Sequence, residues 1–139
     1  MASGRQIDTS ARRAVLAIAA GRATIGAGVL LRTRPALRLA GFPRLNPGGL
    51  ALARLAGGRD LALAALTFAA RRDRSALRAV MLASLAVDAT DAVSLGIAGS
   101  KHRELRVAGI GGVLSGGGAA LAGAWAWRRL AAEDNPGHR

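Results

Sequence analysis

Residues 78–98, RAVMLASLAVDATDAVSLGIA, form an apolar stretch long enough to cross a bilayer, yet they carry two carboxylates, Asp88 and Asp91, near the middle. A helix of about 20 residues matches a hydrocarbon layer of about 30 Å. An ionised side chain at the centre of such a span is costly, so it faces the interior of a bundle, where it pairs, lines a polar path or takes part in chemistry. As a helix, the stretch places Ser84, Asp88 and Asp91 at i, i+4 and i+7 on one face, with Leu82, Val93 and Ile97 on the other. The polar row ends at Leu95, one turn on, with Ser94 at its edge.

The rest of the chain repeats the alternation of apolar blocks and basic connections. There are 20 Lys and Arg against 8 Asp and Glu in 139 residues, a formal net charge of +12. Charge of that size suits nucleic acid when it runs as a stripe along helices. Here it falls between the apolar blocks, in RTRPALRLAGFPR, RRDRSALR and KHREL, as membrane-flanking charge does. The expected partner is therefore a lipid bilayer and not nucleic acid. The length suits one unit, and the lack of cysteine excludes a disulfide scaffold or a cysteine-ligated metal.

In order, residues 1–10 read as a polar segment with Asp8, Thr9 or Ser10 as helix cap, and 11–31 as a first span. The run from Ala14 to Leu31 is long for a signal peptide and lacks a convincing cleavage site, so it reads as retained. Residues 32–49 hold Pro35, Pro43 and Pro47 as breaks, around ALRLAGF, which suits a short interfacial helix. A second span, 50–70, reaches membrane length only by accommodating Arg54, Arg59 and Asp60. The third span is 78–98. The fourth, 105–127, has Gly109, Gly112, Gly116 and Gly123 for close helix packing, as Gly21, Gly26 and Gly28 have in the first. Trp125, Trp127, Arg128 and Arg129 read as an interfacial anchor before a polar tail, 130–139. The expected fold is all-α, a polytopic membrane protein with a four-transmembrane-helix bundle over 11–129. Ten Lys and Arg flank the spans on the side of the termini and eight on the other, which favours cytoplasmic termini in the cell membrane.

Five charged residues fall inside the spans: Arg22, Arg59, Asp60, Asp88 and Asp91. Three carboxylates against two guanidiniums leave one excess negative charge, and two acids held together tend to share a proton. Asp88, Asp91, Arg59 and Asp60 are the catalytic candidates for acid or base work. Arg22 and Ser84 are pocket or ion-pair candidates, and a purely structural polar cluster is the competing expectation. No cofactor is implied, because no P-loop, dinucleotide fingerprint or HExxH is present. GGG at 116–118 has no following Lys-Ser/Thr and reads as packing or a kink. His102, between Lys101 and Arg103, reads as a loop residue, and two histidines give a transition metal little to bind.

The stretch LARLAGGRDLALAALTFAARRDRSALR, followed by LASLAVDATDAVSL and a glycine-rich last span, resembles domain-of-unknown-function family 4267. The resemblance runs over about 11–128 and centres on Gly58-Arg59-Asp60-Leu61 with Asp88 and Asp91. It implies a small four-span membrane protein and, because some fungal relatives accompany natural-product genes, chemistry on lipophilic small molecules. The function expected is then an isomerase or cyclase acting on a terpenoid, sterol-like or polyketide-like substrate. An accessory or assembly subunit of a membrane complex and a small transporter working as a homo-oligomer are the alternatives.

Overall fold

A computed structural model of the chain describes residues 9–132, and every regular element among them is helical. The helices are α1 (Thr9–Leu31), α2 (Thr33–Leu39), α3 (Pro47–Ala70), α4 (Arg74–Lys101) and α5 (Arg106–Ala132), with a single 3₁₀ turn at Arg103–Leu105 before α5. Asp8, one of the expected caps, lies outside the described residues, while Thr9 and Ser10 are already helical.

The helix ends follow local chemistry. Pro35 does not interrupt α2, because it occupies the first turn, where no intrahelical N–H is needed. Pro47 opens α3 as its first residue: the Asn46 side chain accepts a 2.7 Å hydrogen bond from the Gly49 N–H. Between α3 and α4 only Arg71, Arg72 and Asp73 intervene. Asp73 ends that link as the cap of α4, accepting from the Ala76 N–H at 3.1 Å and the Ser75 hydroxyl at 2.7 Å. Those donors, the backbone N–H first, hold the Asp73 carboxyl below the usual carboxylate range. Gly41 turns the chain after α2 with φ at +88°, and a side chain there would also collide with Val107 at the start of α5.

α1, α4 and the segment comprising the 3₁₀ turn and α5 are long and apolar enough to cross a membrane, the build of a multi-pass membrane protein. α3 has the length, 24 residues or about 36 Å, but it carries Arg54, Arg59 and Asp60 and is not among them. The expected four apolar spans are thus three, plus one long helix with polar residues along it.

The four long helices alternate in direction. α1 packs on α3 and α4 on α5; α3 meets α4 and α1 meets α5 less closely, which leaves α1 and α4 on a diagonal. Apart from Leu63, Leu77, Met81 and Leu130, which are buried, large side chains lie mostly outside and small ones inside. Leu31, Leu55, Leu114 and Leu121 stand on the exterior, whereas Ala19, Ala64, Ala108 and Ala126 fill the interior. In water this would waste apolar burial, but in lipid, where the exterior is already solvated, association depends on close approach of small residues.

That approach is closest within each hairpin. On α4 and α5, Gly99 faces Gly109, Leu95 lies against Gly112, and Gly116 meets Ala92 and the Asp88 carbonyl. A Cβ on Gly109 would sit 2.7 Å from the Gly99 Cα. On α1 and α3, a Cβ on Gly26 would fall 2.6 Å from the Gly57 carbonyl oxygen. Gly109, Gly112, Gly116 and Gly26 therefore lie in helix seams. A Cβ added at the exposed Gly21 or Gly28 would meet nothing within 4 Å, contrary to the packing expected of them, whereas Gly123 is buried. α5 also continues as one α-helix through 116–118.

At the end of the bundle where α1 begins and α5 finishes, a small apolar core joins all four long helices through Ala11, Val15, Ala70, Leu77, Met81, Ala126 and Leu130. Arg74 donates to the Leu130 carbonyl at 2.5 Å, and the Arg78 guanidinium lies 5.5 Å from the centre of the Trp127 ring.

Candidate functional site

The mid-span charges of the sequence meet at mid-height. Asp88 stands 14 residues into α4, about 21 Å along it, and Asp91 lies 10 residues from its other end, about 15 Å. On α4 the polar face is the inward one: Ser84 and Asp88 are buried, while Leu82, Val93 and Ile97 are exposed.

Arg22 reaches across the diagonal from α1 to α4. Its Nη2 donates to Asp88 Oδ2 at 2.5 Å, and its Nη1 donates to Asp60 Oδ1 on α3 at 3.0 Å. Arg59 turns to a different acid, donating from Nη1 and Nη2 to the two oxygens of Asp91 at 3.1 and 2.6 Å. A longer 3.6 Å contact joins Arg59 Nη2 to Asp60 Oδ1. The five groups thus alternate in sign, Asp88, Arg22, Asp60, Arg59, Asp91, and tie α1, α3 and α4 together. The forked geometry of a guanidinium suits both arrangements, one bridging two acids and one gripping a single acid by both oxygens. Arg22 is only 8% exposed, whereas the side chains of Arg59 and Asp91 are 36% and 39% exposed, so the first half of the network is the buried half.

Asp88 and Asp91 share a helix face but not a partner. Each is taken by its own arginine, and no hydrogen bond joins the two carboxyl groups among the described residues. Cations from two other helices stand at the two acids, Arg22 of α1 at Asp88 and Arg59 of α3 at Asp91. Arg54, also on α3, leaves the cluster and donates from Nε to the hydroxyl of the buried Thr33 at 3.2 Å.

Beside this network lies a half-open cavity of about 320 Å³. Arg22, Asp60, Asp88 and Asp91 form its polar wall. Ile18, Ile25 and Leu95 give it apolar surface, and Gly112, Ser115, Gly116 and Ala119 form the α5 side. Such a volume is at the small end of sites for small molecules, and an apolar lining with a few convergent polar groups is their usual composition. Its width depends on the lack of bulky side chains along that stretch of α5.

Two sequence candidates stand outside the cavity wall. Arg59 acts on it only through Asp60 and Asp91, and Ser84, one turn from Asp88, has a buried hydroxyl with no hydrogen-bond partner among the described residues. Sequence reasoning missed the contribution of Ser115 and the α5 wall; the signal available was a run of small residues at the depth of Asp88 in an antiparallel hairpin. His102 is exposed at the end of α4. No cluster of three or more possible metal ligands occurs among the described residues.

No family model, curated protein or solved structure matches this chain.

Proposed function

We propose that this is a four-span integral membrane protein that admits a lipophilic small molecule to its mid-bundle cavity and performs proton-transfer chemistry on it, an isomerisation or cyclisation. The observation that carries the reading is the cavity wall, where Asp60, Asp88 and Asp91 converge with Arg22 at mid-height beside apolar surface. A carboxyl that gives its proton to the substrate becomes a carboxylate, and Arg22 or Arg59 stands ready to hold it. The substrate takes the proton and the positive charge. Asp88 is assigned the giving of that proton, through the oxygen that Arg22 leaves free. Asp91, held as a carboxylate by Arg59 and the more accessible of the two, is assigned removal of a proton from the substrate cation, which balances the one given. The residues that carry the chemistry are also those that suggest kinship with domain-of-unknown-function family 4267: Arg59 and Asp60 of the GRDL step, with Asp88 and Asp91.

The test is conversion of terpenoid, sterol-like and polyketide-like candidates by the purified protein. Loss of conversion in Asp91→Asn, with an unchanged unfolding midpoint, is expected. Conversion that survives alanine at both Asp88 and Asp91 would sink the mechanism.

A second reading is favoured by one observation, that all five charges are engaged with one another. Under it the network is a lock for helix register in an assembly subunit. A stable partner that co-purifies in fixed ratio and is lost on changing the exposed surface of α5, with no small molecule bound in the cavity, is the outcome that selects this reading.

A further inference from the structure

The cavity wall has a sign. Three carboxylates, those of Asp60, Asp88 and Asp91, face it against the single guanidinium of Arg22. The count is closed at this depth. Between Arg13 and Arg32, α1 offers only Arg22; between Arg54 and Arg71, α3 offers only Arg59 and Asp60. Between Arg78 and Lys101, α4 offers only Asp88 and Asp91, and α5 offers no charge from Val107 to Trp127. Even with Arg59 included, three acids against two bases leave one negative charge. In a low-dielectric interior that charge is neutralised by one proton or by one bound monocation.

We propose that the cavity selects a lipophilic monocation: an ammonium group that takes the place of the proton against Asp60, Asp88 and Asp91, with an apolar body against Ile18, Ile25 and Leu95. This rests on the cavity's being a ligand site, and it names the charge that a neutral substrate acquires there on protonation. The apolar walls exclude a small hydrated metal ion in favour of a cation that brings its own apolar surface. Arg22 disfavours two positive charges.

The probes are benzyltrimethylammonium, its uncharged carbon isostere neopentylbenzene, and phenylacetate. Each is measured by equilibrium dialysis on the full chain in nanodiscs, with empty nanodiscs as the blank. The expected result is one ammonium bound per chain, at least tenfold tighter than either other probe. Asp88→Asn and Asp91→Asn each weaken it tenfold or more. Arg59→Gln, which leaves the cavity lining in place and removes a positive charge, tightens it. Since Asp88→Asn can disturb folding, each variant is compared at an unfolding midpoint within a few degrees of the parent, and Arg59→Gln tests the sign in the opposite direction. Neopentylbenzene or phenylacetate binding as tightly as the ammonium overturns the charge assignment and leaves a ligand cavity standing. Failure of all three to bind overturns both.

Discussion

At the scale of single residues, Arg22 has the least replaceable position. It is the buried cation between Asp60 and Asp88, and removing one member of a buried ion pair costs about 3–5 kcal/mol because the partner's charge stays behind. Arg22→Met is therefore expected to lower the stability of the purified protein by about that much, read as the midpoint of unfolding in mixed micelles. Arg59→Met is expected to cost less than Arg22→Met, because Arg59 holds chiefly one acid, Asp91, and more than a third of its side chain lies at the surface of the bundle. Equal losses in the two variants would contradict the division into buried and accessible halves. Asp73 gives a separate prediction at the rim. Its folded-state acidity is strengthened by the cap hydrogen bonds, so its contribution is complete above the unfolded carboxyl value, about 4, and is lost as pH falls through the lower folded value. The thermal midpoint of the parent should fall in that acid window more steeply than that of Asp73→Asn, which keeps a capping oxygen but does not titrate. The identity and depth of the five charges were legible in the sequence, since each interrupts an apolar run. That Arg59 and Asp60 take different partners was legible as well, but which acid each arginine holds was not. Arg59 is next to Asp60 in the chain yet makes its closest contacts with Asp91, because neighbours along a helix diverge by about 100° while facing helices converge.

At the scale of elements, the two hairpins are set by glycines whose partners lie far along the chain. Gly109→Val places a branched side chain where the Gly99 Cα already lies, and it is expected to separate α4 from α5 and to abolish a folded, monodisperse preparation on size-exclusion chromatography. Gly118→Ala, which meets nothing on another helix, is expected to be neutral or to stabilise by about 0.5–1 kcal/mol through helix propensity alone. A similar loss in both would mean that glycine content and not the seam sets stability. The glycine repeat of α5 was legible as a small-residue period, but the residues it meets on α4, Gly99, Leu95 and Ala92, were not, since a period on one helix does not name the facing positions on another. The start of α3 was legible in principle: Asn46-Pro47 is a cap followed by a first-turn proline, although Pro47 read alone suggests only a break. The short α2 was partly legible as an amphipathic piece, but its entry beside α1 depends on Arg32 leaving helical geometry, which no residue type announces.

At the scale of the molecule, α3 differs from the other long helices, since it has the length of a span but is interrupted by charge where its pairing is the richest. The chain contains no cysteine, so single-cysteine variants report sidedness directly. If all four long helices cross, Arg72→Cys is labelled from one side of the membrane, and Phe42→Cys and His102→Cys from the other. Labelling of positions 42 and 72 from the same side would show that α3 does not cross. The division into two hairpins also bears on how the protein is made. The first to leave the ribosome, α1 with α3, contains Arg22, Arg59 and Asp60 and is one positive charge in excess at mid-height. The second, α4 with α5, brings only Asp88 and Asp91 and is two negative charges in excess. If α3 crosses, synthesis from the N-terminus installs a half that can satisfy one of its arginines by itself and hold the other in waiting, and the acids then arrive with their receiver already in the membrane. In the reverse order, the two aspartates would enter the bilayer with no cation to meet them.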